Sequence, residues 1–302
     1  MKRIFFQIAF FSVVIIIAFQ SCDKIDPPFR EEQNIDTTCT FTIQSGGAYR
    51  KVLAEEFTGH LCGSCPPSSI YLSDTLKPRY GDSLVVVAIH AGQFADVCPG
   101  ATACPNPSSV PSGAFSTDFT TVAGNQWNSE FGISTNPVCM INRLGYPSSF
   151  MKPKSQWDNL IRAQLQTLAT ARIRIANTFD SSTRRLRTCI ESKFLAYLND
   201  SIKLQVVLTE DSIIDWQEWY YPPPEPTHYV PDYVFHHVLR TSVNSPDGTL
   251  LTAGNVSADS TIVNGFYYDI PSSWNADQCH VVVFLYKTNT KEVIQAEELK
   301  IK

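Results

Sequence analysis

Apolar residues change their spacing several times along the chain, and each change marks an element. Residues 83–90 (SLVVVAIH) are apolar almost without a break, the pattern of a strand buried on both faces. Residues 49–56 (YRKVLAEE) carry a shorter apolar stretch suited to a strand. Between the two, Ile70, Leu72 and Leu76 follow Pro66-Pro67 and precede Pro78. Proline is tolerated in a first helical turn and stops a later one, so a helix is expected there. Strand, helix and buried strand make a βαβ unit. Residues 91–113 are rich in Gly, Pro and Ser and read as a loop. A helix is expected over 116–130 with Phe119, Val122 and Trp127, then a strand at 138–141. A helical stripe of Trp157, Leu160, Ile161, Leu165 and Leu168 covers 153–170.

At about Ala171 the period shortens to two. Ala171/Ile173/Ile175, Ile202/Leu204/Val206/Leu208, residues 280–286 and the closing VIQAEELKI alternate or run apolar between turn signals. Short strands of this kind predict an all-β, immunoglobulin-like antiparallel sandwich. Residues 216–233 interrupt it with prolines and aromatics. Trp216, Trp219, Tyr220 and Tyr221 suit contact with a protein or glycan if exposed, and a folded-over apolar cap equally well.

The N-terminal pattern differs in kind. Lys2 and Arg3 precede an apolar run over 8–19, interrupted only by Ser12 and followed by Ser21 and Cys22. This reads as an export signal over 1–21, with Cys22 as the lipidated first residue of the mature chain. Residues 22–38 are polar and carry prolines, as a tether between lipid and fold would. The remainder divides into an α/β domain over 39–170 and the β-sandwich over 171–302. The net charge of −5 leaves no basic footprint for nucleic acid.

Nine cysteines are present. Setting Cys22 aside leaves an even number in an exported chain, which favours disulfides. Cys98 with Cys104 is the easiest pair, being near neighbours in a turn-rich loop. Cys189 with Cys279 is a plausible staple within the C-terminal domain, and Cys39 with Cys139 is what remains.

Cys62 and Cys65 stand apart. The motif C-G-S-C-P-P follows a strand and opens a helix, where the helix terminus favours a thiolate. Cys62, nearer the open end, is the expected attacking sulfur and Cys65 the resolving one. A structural disulfide is the competing reading, while zinc lacks the second ligand pair it needs. His60, two residues earlier, is placed to favour a thiolate when protonated. His90 ends the buried strand and reads as a satisfied strand-end histidine. His228, Asp232, His236 and His237 could be grouped as a metal site, but adjacent strand residues point to opposite faces. No metal or cofactor is expected.

Residues 45–170 resemble the thioredoxin family. F-G-I-S-T-N-P-V is similar to that family's aromatic-Gly-Ile-x-x-x-Pro stretch, whose proline is cis and packs against the dithiol; the role carries over to Pro137. Glu56 matches its buried acid, which assists proton transfer, and Phe57 the phenylalanine after it. Leu61, Gly63-Ser64 and Val138 depart from the pattern. The resemblance implies an α/β thioredoxin-like domain ahead of the sandwich. The signal, E-E-F-T-G-x-x-C-x-x-C-P, V-A-I-H and D-Y-V-F-H-H-V-L-R (232–240) together resemble the twenty-eight-kilodalton outer-membrane lipoprotein family of anaerobic Gram-negative bacteria. That resemblance implies attachment to the outer membrane through Cys22. Two functions are compatible with these residues: thiol–disulfide exchange on exported proteins, and non-enzymatic, adhesin-like binding of a surface partner.

Overall fold

The computed structural model describes residues 36, 38, 39, 41, 49–100, 104–105, 109–220 and 228–302. The expected signal, Cys22, most of the tether, and Tyr221 lie outside the described residues. No described helix is long and apolar enough to cross a membrane.

Strand β1 (Val52–Thr58) is buried at every position, as is β2 (Leu84–His90). They pair in parallel, Val52 opposite Leu84 through to Thr58 opposite His90. A helical run, α1, crosses between them over 66–80. Pro66 and Pro67 open it, where their missing N–H groups leave no intrahelical bond unmade. Its middle turn, Tyr71–Leu76, is π-helical, and Gly81 at φ 53° ends it. The helix therefore passes Pro78 by two residues, because it widens just before a residue that cannot donate. After α2 (Val122–Glu130), capped by the Thr121 hydroxyl, β3 (Val138–Ile141) pairs antiparallel with the other edge of β1. A short β4 (Met151–Lys152) and helix α3 (Lys154–Leu165) complete this half.

The strands that follow are β5 (Ala171–Asp180), β6 (Arg185–Phe194), β7 (Leu198–Asn199), β8 (Ile202–Glu210), β9 (Ile213–Glu218), β10 (Tyr229–Phe235), β11 (Val238–Ser242), β12 (Thr249–Thr252), β13 (Asn255–Val256), β14 (Thr261–Asp269), β15 (Cys279–Lys287) and β16 (Val293–Lys300). Here the expected fold class is overturned. The chain is mostly β, and it is not a thioredoxin-like α/β domain followed by a separate immunoglobulin-like sandwich. One nine-stranded mixed sheet runs β16-β15-β8-β11-β2-β1-β3-β4, with β12 also on β8. The physical reason lies at β2. Its free edge is taken by β11, Val238 pairing with Ala88, while the Ala88 N–H donates to the His237 carbonyl at 2.8 Å. A buried strand must satisfy its backbone somewhere, and here the C-terminal half supplies the partner.

The sheet's two faces are covered differently. Alternate residues of β1 and β2 (Leu53, Phe57, Val85, Val87, Ile89) share one core with Trp127 of α2 and with Val207, Val282 and Phe284. On the opposite face, Val52, Ala54, Val86 and Ile141 pack on Leu72 and Leu76 of α1 and Trp157 and Ile161 of α3. Farther along that face the helices give way to a three-stranded sheet, β14-β6-β5, whose Ile173, Ile190 and Phe266 pack on Leu204, Val206, Val281 and Val283. Sheet-on-sheet packing is thus present, but one of the sheets also carries the βαβ unit.

Candidate functional site

Cys62 and Cys65 form a disulfide across the turn that leads from β1 into α1. Cys65 is the N-cap of α1. The turn is drawn by the backbone: Cys62 N–H donates to the Gly59 carbonyl and Cys65 N–H to the Cys62 carbonyl, each at 3.0 Å. Pro66 and Pro67 have no N–H, and both Ser68 and Ser69 donate theirs to the Cys65 carbonyl. Both sulfur-bearing residues are buried, 2 % and 1 % exposed. Ser64 between them is exposed; its hydroxyl lies 3.6 Å from the Cys62 Sγ and 3.5 Å from the Asn136 carbonyl. Asn136–Pro137 is a cis peptide, so the loop carrying Pro137 stands beside the cysteine turn. Next to it an open cleft is lined by Gly92, Phe94, Asn128, Ser134, Thr135 and Asn136, none of them charged.

Glu56 lies beneath this turn, on the α1 face of β1. It is buried and accepts a hydrogen bond from the Ser69 hydroxyl at 3.0 Å. Burial pushes its carboxyl up to about 8, against the opposing pull of Ser69. At neutral pH it holds a proton. Ser69 is therefore a bridge, its hydroxyl on Glu56 and its amide on Cys65.

The histidines supply no positive charge here. His60 is fully buried between Phe115 and Phe119, with Nε2 2.8 Å from the Asp96 carbonyl. Burial lowers its pKa, so it stays neutral and the expected protonated neighbour of Cys62 is absent. His90 is buried too, both ring nitrogens without a partner, and its pKa falls to about 3. Burial is the first cause, with the neighbouring His60 adding to it.

A family model described as outer membrane protein Omp28 matches residues 124–302. The chain belongs to the Omp28 family of outer membrane proteins. Its place is therefore the cell envelope, at the outer membrane. The match includes Pro137 and everything after it, and begins beyond Cys62 and Cys65. Among solved structures, a domain of the outer membrane lipoprotein Omp28 from Porphyromonas gingivalis is similar at 19 % identity and a TM-score of 0.30, over 45 % of this chain and 91 % of that one. No curated protein matches.

In this Omp28-family chain the aromatic segment expected as a loop is a hairpin. Residues of β9 and β10 pair from Glu218 opposite Tyr229 to Ile213 opposite Phe235. Trp216 packs against Phe115, and Trp219 meets Tyr233 edge-on. Tyr220 is 44 % exposed. The hairpin's approach to the cysteine turn carried no signal in the sequence, because it depends on contacts more than a hundred residues apart.

Two expected disulfides are corrected. Cys189 pairs with Cys39, not Cys279, and Cys139 and Cys279 are free and buried. Cys189 lies on β6 opposite Gly265, and Asp36 donates its backbone N–H to the Gly265 carbonyl, which brings the N-terminal segment across that sheet to Cys39. Cys139 sits in β3 opposite Glu56, inside the core. Cys98 and Cys104 are bonded. His236 and His237 turn to Asp211, with Nδ1 atoms 3.8 and 3.3 Å from its carboxylate, and His280 joins them at 3.4 Å. Among the described residues, the one group at metal-ligand spacing is Asp36, Cys39 and Cys189. Its two sulfurs are already bonded to each other, and Asp36 is held by Arg187 and Thr38.

Proposed function

We propose that this outer-membrane protein, anchored through a lipid on Cys22, exchanges disulfides with exported proteins through Cys62 and Cys65. The observation that carries the reading is the cysteine pair at the start of α1 beside a buried, protonated Glu56 joined to it through Ser69. In the oxidised form, a substrate thiolate attacks the Cys62 Sγ. The Cys62–Cys65 bond breaks, and Glu56 is the group placed to hand its proton to the departing Cys65 sulfur. A second substrate thiolate then attacks the substrate sulfur of the mixed disulfide and releases Cys62 as thiolate. The substrate leaves oxidised, and two electrons stay on the cysteine pair; the reverse direction retraces the same steps. The Pro137 loop and its uncharged cleft suit an extended polypeptide better than a charged small molecule.

The burial of both sulfurs favours a second reading, in which the bond is structural and the aromatic hairpin, with Trp216, Trp219 and Tyr220, meets a surface partner. Thiol trapping in cells together with the Cys62–Cys65 reduction potential separates the two. Exchange predicts a reducible pair, a Cys65→Ser variant that accumulates mixed disulfides, and a Cys62→Ser variant that does not. A potential below about −300 mV with no reduced form in cells is the behaviour of a structural bond and overturns the exchange reading.

A further inference from the structure

The far end of the β9–β10 hairpin lies on the cysteine turn and is held there by the turn's own backbone. Glu218 N–H donates to the His60 carbonyl at 2.8 Å, and Tyr220 N–H to the Gly63 carbonyl at 2.9 Å. The buried Gln217 side chain reaches the Cys62 carbonyl at 3.2 Å and the Gly59 carbonyl at 3.4 Å. The Tyr220 ring covers Gly63 so closely that a Cβ added there would stand 2.3 Å from it. Only glycine between the cysteines admits this ring.

The two ends of the hairpin are held differently. At its base, Ile213, Tyr233 and Phe235 pack on Phe119 and Val238. Asp211, just before β9, faces His236 and His237, just after β10, and His280 of β15. The base is thus fixed in the core and to the long sheet. Toward the far end, Trp216 and Tyr229 pack on Phe115, and beyond them residues 217–220 are held by the hydrogen bonds above, the Trp219–Tyr233 contact and the half-exposed Tyr220 ring.

We propose that residues 217–220 form an autoinhibitory strap over Cys62–Cys65, which must lift from the His60 and Gly63 carbonyls before a disulfide-bearing protein can reach the pair. The inference rests on the exchange reading only for its purpose; the strap's control of access is a property of the fold and is measured without a protein substrate. Segments held by few bonds and little buried area open locally, well below the free energy of global unfolding.

The test compares the rate at which tris(carboxyethyl)phosphine reduces Cys62–Cys65 in the full chain and in Tyr220→Ser and Gln217→Ala, with Cys39–Cys189, on β6 and away from the hairpin, as the internal reference. Each variant is expected to speed reduction of Cys62–Cys65 several-fold, and the two together roughly tenfold, given the modest net worth of single hydrogen bonds. Cys39–Cys189 should be unaffected. A rate unchanged in both variants overturns the strap. Native-state hydrogen exchange on the unaltered chain gives an independent reading: the Glu218 and Tyr220 amides should exchange together and faster than that of Ala88 in the central sheet. Exchange of these amides only through global unfolding also overturns it. If reduction accelerates in the variants while no exchange with protein disulfides is seen in any of them, the strap stands and the exchange reading falls.

Discussion

Glu55 and Glu56 are neighbours on one strand, each 1 % exposed, and they meet opposite solutions to the same problem. Alternation along β1 sends them to opposite faces of the sheet. Glu55 receives two hydrogen bonds from Arg143, Nε at 2.8 Å and a terminal nitrogen at 2.6 Å. The guanidinium is itself stacked over Phe131, Phe284 and Tyr286 at 4.9–5.1 Å. Burial pulls the Arg143 pKa down, but the charge and hydrogen bonds of Glu55 outweigh it and the net displacement is upward. Glu56 has one serine hydroxyl and no cation, so it keeps its proton instead. A buried carboxyl with a full partner is a structural clamp. One with a partial partner keeps its proton, and only the second sits beneath the cysteine turn.

The largest way to break this comparison is to remove the cation. Arg143→Met leaves Glu55 without its counter-charge among aromatic rings and is expected to destabilise the chain by about 3–5 kcal/mol. Chemical denaturation at neutral pH measures it. Replacing both partners, Glu55→Leu with Arg143→Met, should recover a large part of that loss, because neither charge then has to be desolvated. A single variant that loses under about 1 kcal/mol would show that Glu55 needs no cation and that the two carboxylates are alike.

Glu56→Gln tests the other side through pH. Below about 4.5 the carboxyl is protonated in folded and unfolded chains alike, and it contributes nothing to pH dependence. As pH rises the unfolded chain ionises first and binds fewer protons, so stability falls across the window from about 4.5 to about 8. By pH 7 the loss is on the order of 3 kcal/mol. Glutamine keeps the shape and the Ser69 contact and removes the titration. The variant's stability curve should therefore separate upward from the parent's above pH 5, and the gap should stop widening near pH 8. Parallel curves across that range would mean that Glu56 is ionised in the folded chain. In the proposed exchange reaction the same variant removes the proton donor, so oxidation of substrate should slow, and the loss of rate that ionisation of Glu56 brings near pH 8 should disappear.

How much of this was readable from the chain alone follows from the range of the interactions. The βαβ unit around Cys62 and Cys65 was legible because β1, α1 and β2 are local and strongly patterned. Cys98 with Cys104 was legible for the same reason: they lie six positions apart. The Cys39–Cys189 bond spans 150 residues, and nothing in spacing distinguishes it from its alternatives. The seam between Ala88 and Val238 was equally hidden, since β2 reads as a buried strand whichever strand covers its edge. That single seam turned two expected folds into one sheet. The neutral state of His60 was hidden too; position beside Cys62 suggested a charge, whereas its burial between two rings decided against one.

The finest test asks whether the two faces of β1 are independent. Ser69→Ala removes the one hydrogen bond given to Glu56, at a cost of about 1 kcal/mol. That bond draws the Glu56 carboxyl downward, so its loss should carry the pKa still higher and delay the alkaline end of the titration. Carboxyl-carbon NMR of Glu56 follows the shift directly, and denaturation follows the energy. In an Arg143→Met background the Ser69→Ala loss should be the same within about 0.5 kcal/mol, because the two partners lie on opposite sides of the sheet and share no contact. A larger discrepancy would mean that strand β1 transmits the loss of one clamp to the other face. The proton held beneath Cys62–Cys65 would then depend on Arg143 as well as on Ser69.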